Sequence, residues 1–531
     1  MSCRKIVVLG IDGATFGIIK PLAMQGRLPN IARLMEDGAH GVLNSSIPPL
    51  SPVAWTSFMT GTLPKKHRIF DFSGKVPGTY RFTINTACER RASPLWSCLS
   101  EAGKRVLVIG VTMTYPPDKV NGYMISGLGA PPDADPKALA HPPGFGAEVA
   151  EKFGPFRMVP EIDSRILHRS DREKKKYLEG IFRQADYRVR LFRYMWERED
   201  FDFSMLFFLD TDGISHYFWR YMDPGHPHHQ AGEFSDAIFR VYGKIDEAVG
   251  EILRVTRGEA SLILVSDHGF GPLKRVLFLN NWLASRGYLV FRSGSPLRTV
   301  LSKVASAVRR RRISAGREID WERTRAFFSG TVGNIFINLK GREPAGVVDP
   351  AEYEGLCAAL ADELAAYRDP ESGEGIVERV YRQGEAEAGT DRSAPDLVVT
   401  FRSGYAVVGD DIALHDVADT GEIVSNARNW SGNHEKEGIF IAHGGPVRKG
   451  IVLPDSEIID VAPTILYSLD VPVPRRMDGK VLTGIFDESF LAQREIRFSG
   501  KGDAAGPGGE VLDDKEKEAI RDQLRNLGYL E

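Results

Sequence analysis

The chain has 531 residues, 42% of them hydrophobic and 26% charged, with a formal net charge of −3. This composition fits an ordinary globular protein with a sizeable core and excludes a disordered chain. The near-neutral balance gives no reason to expect a nucleic-acid polymer or an anionic membrane as partner.

The first element is a nearly continuous apolar run, Ile6–Ile11, ending on Asp12. It is too short for an export signal and reads as a buried parallel strand. Four similar runs follow at Arg105–Ile109, Phe203–Leu209, Ser261–Val265 and Asp396–Phe401. Helical patterns lie between them, such as Leu28–Met35 and Asp236–Thr256. Alternating strands and helices predict an α/β fold. It is a doubly wound, mostly parallel central sheet with helices on both faces, and ligands bind at the carboxyl ends of its strands. Asp12, Asp210, Asp212 and Asp267 all stand just past a strand's last apolar residue.

A catalytic domain is expected over residues 1–495, with cap insertions at about 115–200 and 272–330. The first is rich in Pro and Gly, then charged and helical around Asp171–Tyr177. The second carries Arg309–Arg312, expected to be a solvated helix face, or in the sharper reading an anion-steering patch. Residues 496–531 read as a linker and a C-terminal helix over Asp513–Leu530. No run of about eighteen apolar residues occurs, so no membrane span is expected. Cys3, Cys88, Cys98 and Cys357 form no CxxC pair and read as reduced thiols of a cytoplasmic protein.

In the segment from Pro48 to Gly61, Ser51 is a preferred N-cap residue, Pro52 suits the first helical position, and Gly61 suits the left-handed close. A serine at a helix N-terminus meets unpaired N–H groups that favour a phosphate anion. Taken alone, a serine there is more often only a cap. As a nucleophile it needs a base or a metal, and no Gly-x-Ser-x-Gly elbow surrounds it.

The metal candidates are scattered. Asp212 and His216 stand four apart, on one face of a helical turn. Asp267 and His268 are adjacent at a strand end, where Gly269 permits a turn. His434 lies in a polar Gly-Asn loop. His226, His228 and His229 sit in a proline-broken loop and read as surface residues. Mixed imidazole and carboxylate donors suit Zn²⁺ first, or Mn²⁺ or Fe, rather than an all-oxygen Ca²⁺ site.

These motifs, Gly10–Gly13, Ser51 through Thr60-Gly61 to Pro64 and His67, Asp212-x-x-x-His216, Ser266–Gly269 and Gly432–His434, resemble the alkaline phosphatase superfamily. Within it they resemble the type I phosphodiesterase/nucleotide pyrophosphatase branch. The resemblance implies two divalent ions and a small phosphorylated substrate. Asp212, His216 and His434 would hold one ion; Asp12, Asp267 and His268 would hold the other, with Ser51 as a further ligand and the nucleophile. The branch commonly uses threonine there and an asparagine soon after; here alignment on Thr60-Gly61 puts serine at that place, with Thr56 as the alternative, and no asparagine lies between Ser51 and Gly61. Hydrolysis of phosphodiesters or nucleotide pyrophosphate bonds through a phosphoseryl intermediate is the expectation. A phosphomonoesterase or phosphomutase on the same scaffold is the alternative. A sulfatase is disfavoured because Ser51 lacks the Ser-x-Pro-x-Arg context, and a phosphoethanolamine transferase because it would bring membrane spans.

Overall fold

The structure is a computed structural model that describes residues 5–160, 167, 170–292, 318–382, 393–408, 422–427, 429–500 and 512–529. The chain forms two compact units. The first comprises Met1–Ile69, Asn85–Pro272 and Asn429–Gln523; the second comprises Phe70–Ile84, Leu273–Arg428 and Leu524–Glu531. The Arg309–Arg312 run, Cys3 and the Gly/Ala-rich part of the expected linker lie outside the described residues.

At the centre of the first unit is, among the described residues, a ten-stranded sheet. Five neighbouring strands run parallel, in the order Ser261–Val265, Ile6–Ile11, Phe203–Phe208, Val106–Ile109 and Gly122–Ile125. Ile6–Ile11 is buried along its whole length, as an apolar run covered on both faces must be. Glu437–His443 inserts antiparallel between Ser261–Val265 and Ala39–Asn44, and Ala140–His141 closes the far edge antiparallel to Gly122–Ile125. The fold is thus α/β with a mostly parallel sheet.

The helices of this unit follow their sequence signals. Ala237–Thr256 buries Val241, Ile245, Val249 and Ile252, one stripe at helical spacing. Asp171–Arg198 is capped by the Ser170 hydroxyl, which accepts the Glu173 N–H. Pro29–Glu36 has no side-chain cap of its own. Instead Asp246, from the neighbouring helix, accepts the Asn30 and Ile31 N–H groups. Among the described residues no helix is long and apolar enough to cross a membrane.

One expected core strand belongs elsewhere. Leu397–Phe401 is not in the central sheet; it lies in the second unit, in an antiparallel sheet ordered Ala326–Phe328, Gly333–Ile337, Leu397–Phe401, Val377–Arg382. Its partners, not its own apolar run, set its direction, and both kinds of buried strand look alike in sequence. This sheet and the helix Tyr353–Ala366 enclose a separate core containing Trp282, Phe327, Phe328, Leu360 and Leu364.

Candidate active site

The parallel register brings the acidic strand ends together. Ile11 stands opposite Phe208, and Gly10 stands opposite Val265, so the segments carrying Asp12, Asp212 and Asp267 leave three adjacent strands at one end. Asp212 and His216 lie in the helix Asp210–Met222, which follows Phe203–Phe208 directly. Asp210 faces away: its Oδ2 accepts from buried Arg188 Nη1 at 2.9 Å.

His434 lies on a short strand rather than in a loop. Gly432–Glu435 pairs antiparallel with residues 269–272, which carries His434 back over the sheet end. Gly269 begins the strand on the other side of this pairing, and its lack of a side chain admits the next strand, Glu437–His443: a Cβ there would come within 2.2 Å of the Glu437 carbonyl oxygen. Gly432 is equally tight, 2.4 Å from the Ser215 carbonyl oxygen.

All three site histidines are oriented in the same way. His216 Nδ1 faces the Gly432 carbonyl at 3.0 Å, His268 Nδ1 the Gly269 carbonyl at 3.0 Å, and His434 Nδ1 the Pro49 carbonyl at 3.1 Å. A carbonyl can only accept, so Nδ1 carries the proton in each ring and Nε2 presents its lone pair inward. His216 Nε2 and His434 Nε2 lie 3.0 Å apart, and Asp212 Oδ1 is 3.3 Å from the first and 3.1 Å from the second. Two imidazole lone pairs and a carboxylate oxygen converge with no proton between them. A cation resolves that repulsion.

A second group of mutually close ligand atoms comes from Asp12, Asp212 and His268. His268 Nε2 is 3.4 Å from both Asp12 Oδ1 and Asp267 Oδ2. Asp267 Oδ1 accepts the Gly13 N–H, while its buried Oδ2 has no hydrogen-bond partner among the described residues. Burial, then the charges of Asp267 and Asp212, push Asp12 well above the usual carboxylate range. Burial and the Asp212 charge do the same to Asp267. Clustered buried carboxylates of this kind, an orphan oxygen and inward lone pairs fit divalent cations with mixed nitrogen and oxygen donors.

Ser51 is not an N-cap. Leu50 takes that position, with extended backbone and no side-chain bond, and Ser51 is the first residue of the helix Ser51–Thr60. Pro52 has no N–H, and the Val53 and Ala54 N–H groups turn back to the Leu50 carbonyl. The expected open cradle of helix N–H groups is therefore largely used up. The Ser51 hydroxyl, freed from capping, lies 3.3 Å from Asp12 Oδ1 and 3.3 Å from His268 Nε2. Gly61 closes the helix with φ 63°, as expected. Thr56 donates to the Pro52 carbonyl at 2.6 Å within the same helix and does not join the cluster.

Two further histidine readings are settled by burial. His226 is buried, not a surface residue, and its Nδ1 accepts the His228 N–H at 3.0 Å. His67 is fully buried with Nε2 2.9 Å from Ser57 Oγ, and it belongs to neither group of candidate metal ligands. The residues that the sequence did not point out are Trp55 and Trp430. Trp55 Nε1 donates to Asp12 Oδ2 at 2.9 Å, and the Trp430 ring stacks on His216 with centroids 3.6 Å apart. The four-residue interval from Ser51 to Trp55, one turn of a helix, was the available signal for the first.

A family model described as type I phosphodiesterase / nucleotide pyrophosphatase matches residues 6–434. No protein of curated function matches by sequence. Among solved structures, murine ectonucleotide pyrophosphatase/phosphodiesterase 5 is similar at 12% identity with a TM-score of 0.50, covering 91% of this chain and 100% of that one. An inactive form of the same murine protein in complex with AMP gives 12% and 0.50, covering 88% and 95%. Phosphonoacetate hydrolase from Sinorhizobium meliloti 1021, in complex with phosphonoformate, gives 16% and 0.49, covering 88% and 96%. At such identity the likeness to the murine protein is one of fold.

Proposed function

The chain belongs to the type I phosphodiesterase/nucleotide pyrophosphatase family, and from that premise we propose that it hydrolyses phosphodiester or nucleotide pyrophosphate bonds with Ser51 as nucleophile. Asp212, His216 and His434 hold one divalent ion. Asp12, Asp267 and His268 hold another, with Ser51 beside it and Asp212 within reach of both groups. The observation that carries this reading is the Ser51 hydroxyl, 3.3 Å from Asp12 Oδ1 and 3.3 Å from His268 Nε2. A buried hydroxyl among metal-type donors is placed for deprotonation in a way that a helix cap is not.

Bound ions would supply charge neutralisation at the phosphoryl oxygens and an acidified hydroxyl. Ser51 Oγ gives up its proton to solvent and attacks phosphorus, the bond from phosphorus to the leaving oxygen breaks, and the leaving oxygen takes up a proton from solvent. Water then attacks the phosphoseryl ester, the Oγ–P bond breaks, and the proton that the water loses restores the serine hydroxyl. The chain's own contribution is orientation: Nδ1 bonds to backbone carbonyls fix the three imidazoles before substrate arrives.

The test is turnover of bis-p-nitrophenyl phosphate, p-nitrophenyl phosphate and nucleotide pyrophosphates by the purified, metal-loaded chain. Diester or pyrophosphate cleavage at least tenfold faster than monoester cleavage is expected. A preference for the monoester would overturn the diester assignment.

A further inference from the structure

Beyond the ligands themselves, the geometry points to Trp55 as a positioning residue whose indole N–H fixes Asp12 as a one-oxygen ligand of the ion beside Ser51. This rests on the metal reading given above. Asp12 has two carboxylate oxygens with different partners. Oδ2 accepts the Trp55 indole N–H at 2.9 Å, whereas Oδ1 faces Ser51 Oγ at 3.3 Å and His268 Nε2 at 3.4 Å. With Oδ2 occupied, rotation of the carboxylate would break a buried bond to a charged acceptor, which keeps Oδ1 turned to the site.

The indole is itself held rigidly. Trp55 is fully buried and meets Phe58 and Phe207 edge to face, with centroids 5.4 Å and 5.0 Å away. Gly10, two residues before Asp12, makes the room. A Cβ there would lie 2.8 Å from the Trp55 ring. The Asp12 backbone is tied as well, its N–H donating to the Phe208 carbonyl at 2.9 Å and its carbonyl accepting the Thr211 hydroxyl at 2.5 Å. Ser51 and Trp55 therefore address the same carboxylate from successive turns of one helix, one at each oxygen. Partners of this kind, outside the ligand set, typically set metal affinity by roughly 10–100-fold.

The same unit offers an internal control. Trp96, also fully buried, donates its indole N–H to Asp118 Oδ2 at 2.8 Å, and Asp118 further pairs with Arg90. Trp96→Phe reports the general effect of deleting a buried indole N–H from a carboxylate.

The experiment titrates metal into chelated wild-type, W55F and W96F protein against a competing chromophoric chelator. Wild type is expected to bind two ions. In W55F one of the two should weaken by about 10–100-fold while the other is unchanged, and W96F should bind both as wild type does. If W55F does not fold, Trp55→His, which keeps a ring N–H, replaces it and should bind both ions within about threefold of wild type. Equal affinities in W55F and wild type, or a loss in W55H as large as that expected of W55F, would overturn the role of Trp55. Failure of wild type to bind two ions would instead sink the metal reading on which it rests.

Discussion

A serine hydroxyl is a poor nucleophile near neutral pH, and what surrounds it decides whether it reacts. Capping would have tied Ser51 to its own helix. The structure gives the cap position to Leu50 and leaves the hydroxyl with Asp12 and His268. The Ser51 hydroxyl therefore contributes little to the helix and is placed to act as the nucleophile of the proposed reaction. Ser51→Ala should lower turnover by at least ~10³-fold. Metal content should stay near wild type, because the carboxylates and imidazoles remain. Steady-state kinetics together with metal analysis checks both halves; a variant that keeps most of its activity would move the nucleophile away from Ser51.

At the scale of elements, hydrophobic pattern and helical spacing made much of the sequence legible, although the local N-cap rule named Ser51 where Leu50 takes the cap. Ile6–Ile11, Phe203–Phe208 and Ser261–Val265 are strands because buried apolar runs leave few other options, and Asp212 with His216 share a helical face by spacing alone. The other failures came where a distant partner decides. Leu397–Phe401 joined a different sheet, and Gly432–Glu435 became a strand only because residues 269–272 offered an edge. The Trp55 bond to Asp12 spans two elements, and its trace in the sequence is only the four-residue interval from Ser51. The short helix Pro64–His67 gives a further case, and it carries a pH consequence. His67 Nδ1 accepts the Ile69 N–H at 3.1 Å, so the ring must be neutral, with Nε2 2.9 Å from Ser57 Oγ. Burial, helped by the Arg90 charge, pushes His67 down to about 3. The folded value lies below the unfolded one near 6.5. The stability that neutral His67 confers is therefore fully present above about pH 6.5 and lost as pH falls towards 3. At pH 5 the loss is about 2 kcal/mol. His67→Gln, which cannot take up that proton, should unfold in urea with a difference between pH 7.5 and pH 5 that is smaller by about this amount. Parallel pH dependences in the two proteins would refute the assignment.

For the whole molecule, the proposed metal site links folding to ion binding. Asp12, Asp212 and Asp267 are fully buried together, and burial with mutual repulsion raises Asp12 and Asp267 above the usual range, so their joint ionisation is unfavourable without a compensating charge. The surrounding sheet is held by its parallel register and apolar strands, so the fold tolerates this repulsion, but at the expense of stability. An ion that binds only the folded chain returns it. The gain is ~2.7 kcal/mol per site when the free ion stands ~100-fold above its Kd. Chelation with EDTA should therefore do two things at once: abolish hydrolysis and lower the unfolding temperature. Zn²⁺ or Mn²⁺ should restore both, since imidazole and carboxylate donors suit either ion, whereas Ca²⁺, which favours all-oxygen shells, should restore neither. Calorimetry and activity measured on the same chelated and reloaded samples decide the matter. Full turnover together with an unchanged unfolding temperature in the chelated protein would mean that the buried carboxylates are neutralised by protons rather than by metal, and that the chemistry at Ser51 has another source.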